Sequence, residues 1–127
     1  MYLFEVFEPG KIIGTRSLTL SADLVQQWLM VFPQDDQGDR MPPGMTAAVL
    51  MRAYCDILRL RPPGNVHGQQ NFSITELPVI GDTLVTTLTC EKKELKGERR
   101  WLTCTSQTNR SDGALMFSGI MTMLWAG

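Results

Sequence analysis

The spacing of apolar residues changes along the chain, and each spacing predicts a different element. In residues 22–32 the apolar side chains recur three and four positions apart, as on one face of a helix: Leu24, Val25, Trp28, Leu29 and Phe32. Ser21 is a favourable N-cap, and Asp23 places a carboxylate at the positive end of the helix dipole. Pro33 cannot continue the helix. A short helix is therefore predicted, preceded by a strand over residues 11–20.

A second helix is predicted from about Met45 to Leu60, and it is apolar around most of its circumference. Its polar side chains form one narrow stripe, at Arg52, Asp56 and Arg59. A helix on a protein surface needs to bury only one face. This pattern therefore predicts a helix that the rest of the chain encloses almost completely.

Four strands are predicted after the second helix. Residues 66–77 are extended and partly polar, and the Gly81-Asp82 turn opens an alternating run over residues 83–93. Residues 100–108 and 114–125 complete the set. The order of elements predicts an α+β protein, in which a curved antiparallel sheet of about five strands wraps around one long central helix. No linker divides the chain, so residues 1–127 are expected to form a single domain.

The register of one hairpin follows from its apolar residues. A hairpin symmetric about Gly97 would place Cys90 opposite Cys104 and Lys92 opposite Leu102. That register gathers the apolar residues of both strands on one face, which supports it. The basic residues near the turn are expected to form a solvated tip: Lys92, Lys93, Lys96, Arg99 and Arg100.

Composition excludes several classes of function. A formal charge of −1 with interspersed charges gives no basic footprint for nucleic acid or for a membrane surface. The first residues are acidic where a signal peptide is basic, and no stretch is long enough for a membrane span, so a cytoplasmic protein is expected. The three cysteines lack metal-binding spacing and are expected to be small core residues. With one histidine in the chain, a zinc site built from histidines is excluded.

Five short segments, in this order, resemble the MaoC-like branch of the hotdog fold, whose members are hydratases and dehydratases of acyl thioesters. The segments are Phe7-Glu8-Pro9-Gly10, Ser21-Ala22-Asp23-Leu24, Pro43-Gly44-Met45-Thr46, Pro78-Val79-Ile80-Gly81-Asp82-Thr83-Leu84 and the terminal strand from Gly113 to Trp125. The third resembles the family's HGM turn and the fourth its PVxxGDTL motif. The resemblance implies an acyl-CoA or acyl-carrier-protein thioester as substrate, and no further cofactor.

The start of the second helix suits thioester chemistry. A helix N-terminus presents unpaired N–H groups and a partial positive charge, and glycine lets a ligand approach the backbone closely. The amides of Gly44 and Met45 are therefore candidate donors to a thioester carbonyl. The alternative interpretation is purely structural, with Gly44 permitting a tight entry into the helix and Pro43 stiffening it.

The chain departs from the family where the family's general base lies. MaoC-like enzymes carry an aspartate and, about five residues later, a histidine, in a DxNPxH segment between the helices. Here Asp35 or Asp36 can match the aspartate, but no histidine follows either of them. The only histidine, His67, lies beyond the central helix and is a weak substitute. Asp35, Asp36 and Asp39 lie in the polar loop of residues 34–40, the acidic loop. They can also be interpreted as ordinary solvated carboxylates.

Three functions remain open at this point. The first is a hydratase or dehydratase with an altered site, the second a thioesterase that uses the acidic loop, and the third a subunit that binds thioesters or serves only as structure. The Arg52, Asp56 and Arg59 stripe can be interpreted as a clamp for coenzyme A phosphates or, preferably, as a salt-bridged helix edge. An open sheet edge and residual apolar surface predict a homodimer or a higher even oligomer.

Overall fold

In the computed structural model, which describes residues 1–127, five strands form one antiparallel sheet and two helices connect them. The elements are β1 (Ile12–Thr19), α1 (Ala22–Val31), α2 (Met45–Ile57), β2 (Val66–Ile74), β3 (Thr83–Lys96), β4 (Arg99–Arg110) and β5 (Leu115–Trp125). The strand order is β1-β3-β4-β5-β2. The predicted α+β class and five-stranded sheet are therefore confirmed.

Helix α1 begins and ends where the sequence predicts. The Ser21 hydroxyl accepts a hydrogen bond from the Leu24 amide, which satisfies one of the free donors of the first turn. After Phe32 the chain makes a single 3₁₀ turn, Pro33–Asp35, before the loop that leads to α2. This turn positions the first carboxylate of the acidic loop.

Helix α2 is less enclosed than its sequence predicts. It buries one face, which comprises Met45, Thr46, Val49, Leu50, Ala53 and Tyr54. Met51, Cys55 and both charged residues of the helix are exposed, because the sheet covers α2 from one side only. The prediction of nearly complete burial is wrong for the single chain. The helix also ends at Ile57, earlier than the predicted Leu60.

The core consists of two apolar clusters with hydroxyl groups between them. On β3, Leu84 belongs to one cluster and Leu88 to the other, and the buried Thr86 lies between them. The Thr86 hydroxyl is 2.8 Å from the Thr108 hydroxyl on β4, so the two buried groups satisfy each other. The cluster of Leu84 packs on the N-terminal half of α2, and the cluster of Leu88 packs on its C-terminal half.

The β3–β4 hairpin confirms one predicted pair and corrects the other. Cys90 lies opposite Cys104, but Lys92 lies opposite Thr103, because a bulge after Cys90 shifts the register by one residue. Lys93 now pairs with Leu102 and leaves the solvated tip. Its ammonium group donates to the carbonyls of Phe4 and Phe7, each at 2.9 Å.

Two of the three cysteines are core residues, as predicted. Cys90 and Cys104 are fully buried, and burial raises the pKa of Cys104 to about 12. Cys55 lies on the uncovered face of α2 and is exposed, so the prediction is wrong for this residue. None of the helices is both long and apolar enough to cross a bilayer.

Candidate functional site at the start of the central helix

The carboxylate of Asp35 lies against the first residues of α2. Its Oδ2 accepts a hydrogen bond from the Trp28 indole Nε1 and another from the Gly44 amide, both at 2.9 Å. Asp35 is partly buried. The Trp28 ring packs on the Phe32 ring, with the ring centroids 4.6 Å apart. Three separate segments, α1, the 3₁₀ turn and the N-cap of α2, therefore meet at one carboxylate oxygen.

Gly44 makes this meeting possible. Its backbone has φ −64° and ψ −24°, which any residue can adopt, so the glycine is not required by conformation. A Cβ at this position would lie 2.7 Å from Asp35 Oδ2 and 2.7 Å from Trp28 Cζ2. The absence of a side chain is what lets the carboxylate and the indole approach the backbone.

Both amides that the sequence identifies as candidate donors already have partners in the chain. The Gly44 amide donates to Asp35, and the Met45 amide donates to the Pro42 carbonyl at 3.0 Å. The Thr46 amide donates to the Pro43 carbonyl at 3.2 Å. In this conformation the first turn of α2 leaves no free donor for a ligand at these positions.

The second carboxylate of the acidic loop has a local role. Asp36 is exposed, and its Oδ1 accepts a hydrogen bond from the Gly38 amide at 2.9 Å. This contact closes a turn two residues long and is typical of aspartate in loops. Asp39 is exposed as well. Of the three loop aspartates, Asp35 alone accepts a hydrogen bond from the start of α2.

The structure places His67 away from this cluster. It is exposed on β2, where its Nε2 lies 3.1 Å from Gln70 Oε1, and its ring is 6.5 Å from the ring of Tyr54. Tyr54 is ten residues beyond Gly44, which corresponds to about 15 Å of helix rise. Within one chain His67 is therefore not brought to Asp35.

An apolar groove runs between the uncovered face of α2 and β2. Its volume is about 320 Å³, and its lining residues are Ala47, Leu50, Met51, His67, Gln70 and Phe72. Ala47 is one helical turn from Gly44, so the groove begins beside the Asp35 cluster and extends toward the C-terminal half of α2. A lining with few polar groups suits an uncharged chain.

The polar stripe of α2 forms salt bridges. Asp56 lies 3.7 Å from Arg52 and 3.2 Å from Arg16 on β1. These contacts favour the interpretation as a helix edge over that as a phosphate clamp. They also leave Arg59 exposed and without an ion pair.

The sequence did not identify Trp28 as the hydrogen-bond donor that holds Asp35. The spacing of apolar residues predicts only that Trp28 lies on the apolar face of α1. The 3₁₀ turn after α1 then places the Asp35 carboxylate next to the Trp28 indole. The one available signal was chemical, because a partly buried indole N–H needs an acceptor and a carboxylate lies seven residues downstream.

No protein-family model matches the sequence, and no curated protein matches it. Solved structures do resemble it over nearly its whole length. The MaoC-like dehydratase from Rhodospirillum rubrum superposes with a TM-score of 0.82 at 18% identity, covering 97% of this chain and 96% of that one. The chain has the hotdog fold. The MaoC-like interpretation of the five sequence segments thus agrees with the structural neighbours.

Two further hotdog structures extend the comparison. The (R)-hydratase from A. caviae involved in PHA biosynthesis gives a TM-score of 0.72 at 17% identity, covering 96% of this chain and 99% of that one. The C-terminally truncated 3R-hydroxyacyl-ACP dehydratase complex from Mycobacterium tuberculosis gives 0.67 at 14% identity, with 86% and 90% covered. At such identities the hotdog fold is what the three comparisons establish.

Proposed function

We propose that this chain is a hydratase or dehydratase of acyl thioesters in which Asp35 acts as the general base without a histidine. The observation that carries the proposal is the Asp35 carboxylate on the Gly44 amide, at the positive end of α2. The names of the three structural neighbours, two dehydratases and a hydratase, support it. The substrate is an acyl-CoA or acyl-carrier-protein thioester, and no separate cofactor is needed.

Asp35 has one oxygen available for proton transfer. Both of its hydrogen bonds go to Oδ2, and Oδ1 has no partner in the chain. In hydration, Oδ1 takes a proton from water as the water oxygen adds to the β-carbon of a trans-2-enoyl thioester, and the protonated Asp35 then gives a proton to the α-carbon of the resulting enolate. Trp28 holds the carboxylate in place during this step. In dehydration the same steps run in reverse.

The thioester carbonyl needs a donor as negative charge develops on its oxygen. We place that oxygen on the Gly44 amide, where it replaces Asp35 Oδ2 as acceptor. In the enolate-like transition state the exchange costs little hydrogen bonding, because one anionic acceptor then takes the place of another while the Trp28 contact remains. The groove between α2 and β2 then takes the uncharged part of the ligand next to the thioester.

A non-catalytic thioester-binding subunit is the second candidate. The observation that favours it is the pairing of the Gly44 and Met45 amides within the chain, which leaves no preformed oxyanion site. This candidate predicts saturable binding of acyl thioesters without turnover. A thioesterase would instead release free thiol.

The experiment is mass spectrometry of trans-2-enoyl-CoA thioesters after incubation with purified protein. The expected product is heavier by one water. Asp35→Asn should slow its formation by about 10² or more, since it removes the base and leaves the shape unchanged. Asp36→Asn is the matched control and should retain activity, because Asp36 contacts only its own turn. Equal rates for wild type and Asp35→Asn would overturn the assignment.

We further propose that the protein acts as a homodimer in the cytoplasm. The exposed apolar residues beside the groove, such as Met51 and Val66, and the open edge of β2 favour a second copy as their cover. Nothing in the charge distribution favours nucleic acid or a membrane surface as the partner.

A further inference from the structure

Two cysteines of the core face each other across neighbouring strands. Cys90 on β3 lies opposite Cys104 on β4, and both side chains are fully buried in the cluster that packs on the C-terminal half of α2. Cys55 lies apart from them, on the uncovered face of α2. The proposed reaction uses neither buried thiol, because Asp35 lies at the other end of α2.

The hydrogen bonds of Cys90 show how closely the pair approaches. Its amide donates to the Lys11 carbonyl at 2.9 Å, and its carbonyl accepts from the Gly10 amide at 2.7 Å, so both backbone groups point away from β4. Cys90 and Cys104 therefore form a non-hydrogen-bonded pair, the class in which opposite Cα atoms are about 4.5 Å apart. Disulfides join cysteines whose Cα atoms are about 4.4–6.8 Å apart. An S–S bond between the two strands thus needs no movement of the backbone.

Burial keeps the pair unreactive in the closed fold. It raises the pKa of Cys104 to about 12, and it raises the pKa of Cys90, where the charge of Lys93 offsets only part of the effect. The thiolate is the form that attacks a disulfide or another electrophile. Oxidation of the pair therefore requires a local opening that brings the thiols into water.

The N-terminal segment, residues 1–11, covers the two cysteines and precedes the first strand. Phe4 and Phe7 from this segment are buried in the same cluster as the thiols. Lys93 holds the segment through the carbonyls of these two residues, and the last residues of the segment bond to the backbone of Cys90. The ends of a chain open at a lower cost in free energy than the middle of a sheet. Opening of this segment would expose Cys90 while the sheet stays paired.

We propose that Cys90 and Cys104 are a redox modification site, which forms a reversible disulfide by exchange with a small-molecule disulfide such as glutathione disulfide when the N-terminal segment opens. The Cys90 thiolate attacks one sulfur of glutathione disulfide, which gives a mixed disulfide and releases one glutathione thiolate. The Cys104 thiolate then attacks the Cys90 sulfur and displaces the second glutathione. The chain loses two hydrogens, and glutathione disulfide is reduced to two molecules of glutathione.

The test is intact-mass spectrometry of the full chain carrying Cys55→Ser, which removes the exposed thiol and keeps the pair. The protein is incubated with glutathione disulfide and then alkylated with iodoacetamide in denaturant. We expect a chain that is lighter by two hydrogens and takes up no alkyl group, and that takes up two after dithiothreitol. Adding Cys104→Ser should stop the reaction at the mixed disulfide, seen as a chain heavier by one bound glutathione.

A second measurement identifies the opening that admits the reagent. Oxidation is timed in increasing urea below the unfolding transition, where a local opening gives a nearly constant rate because little surface becomes exposed. Phe4→Ala should raise the rate by about tenfold or more, because it removes packing that holds the segment closed. Val25→Ala is the matched control, because it removes buried apolar atoms from the other cluster and should leave the rate unchanged. If Phe4→Ala does not fold, Phe4→Leu should give a smaller increase.

Three results would overturn the proposal. The first is that the Cys55→Ser protein forms no disulfide with glutathione disulfide under native conditions. The second is a rate that climbs with urea as steeply as the unfolded fraction does, since the pair would then react only in the unfolded chain. The third is equal acceleration by Phe4→Ala and Val25→Ala, which would show that the N-terminal segment does not control access.

Discussion

Gly44 shows how one residue can serve a purpose other than the one its position in the sequence indicates. The pattern before α2 predicts a glycine that admits a ligand to a helix N-terminus. In the structure the space is occupied by Asp35 and Trp28 from the same chain. The physical requirement, close approach to the backbone, is the same in both cases. What occupies the space depends on a 3₁₀ turn that the sequence did not reveal.

Gly44→Ala should destabilise the protein even though alanine is the better helix former. The new Cβ would lie 2.7 Å from both Asp35 and Trp28, and relief of such overpacking costs about 1–3 kcal/mol. Urea denaturation measures the change. In a Trp28→Leu background, which removes the Cζ2 atom, the cost of Gly44→Ala should fall. An undiminished cost there would show that the indole is not the obstacle.

The register of the β3–β4 hairpin can be predicted from the sequence over only part of its length. Its register was predictable as far as Cys90 and Cys104, because alternating apolar residues fix which face is buried. Beyond that point the bulge inserts one residue and reverses the faces. The run Glu91-Lys92-Lys93-Glu94 is charged throughout, so it carries no alternation from which the shift could be predicted.

The bulge gives Lys93 a structural role that its charged neighbours lack. Lys93→Met should cost about 2 kcal/mol, since two carbonyls lose a charged donor, those of Phe4 and Phe7. Lys92→Met should change the free energy of unfolding by no more than about 0.5 kcal/mol, because Lys92 is exposed and forms its salt bridge with Glu94 at the surface of the hairpin. The comparison requires denaturant curves for both variants. Similar losses in the two would contradict the assigned role.

Helix α2 illustrates the other limit of element-level prediction. Apolar residues do occur around most of the helix. Their periodicity does not show, however, whether they are buried by the same chain or by a second copy. The structure answers for the single chain, where one face is buried and residues such as Met51 stay exposed. The exposed apolar residues of α2 are one of the observations that support the proposed dimer.

At the level of the whole molecule, the two edges of the sheet differ in chemistry. The β1 edge carries Arg16, which binds Asp56, whereas β2 contains no Lys, Arg, Asp or Glu. Charged residues protect an edge against pairing with another chain, and β2 lacks that protection. Antiparallel pairing of β2 with a second β2 is compatible with two-fold symmetry and would cover the groove beside it.

This arrangement predicts a dimer that depends on β2. Sedimentation equilibrium of the wild type should give twice the chain mass. Replacing Val66 and Ile74, exposed residues near the two ends of β2, with lysine should shift the protein toward monomer by like-charge repulsion. Ile12→Lys, an equally exposed substitution on the β1 edge, is the control and should leave the dimer intact. Dissociation by Ile12→Lys instead would identify β1 as the interface.

The strand order has a consequence for the order of events during synthesis. Strand β2 pairs only with β5, which is synthesised after the other four strands, and β5 also completes the cover of α2. Until Trp125 has emerged, β2 has no strand to pair with, and α2 lacks the part of its cover that β5 supplies. The nascent protein can therefore pair β1, β3 and β4 in advance, but the other edge of its sheet must wait for β5, and apolar surface of α2 stays exposed during this interval.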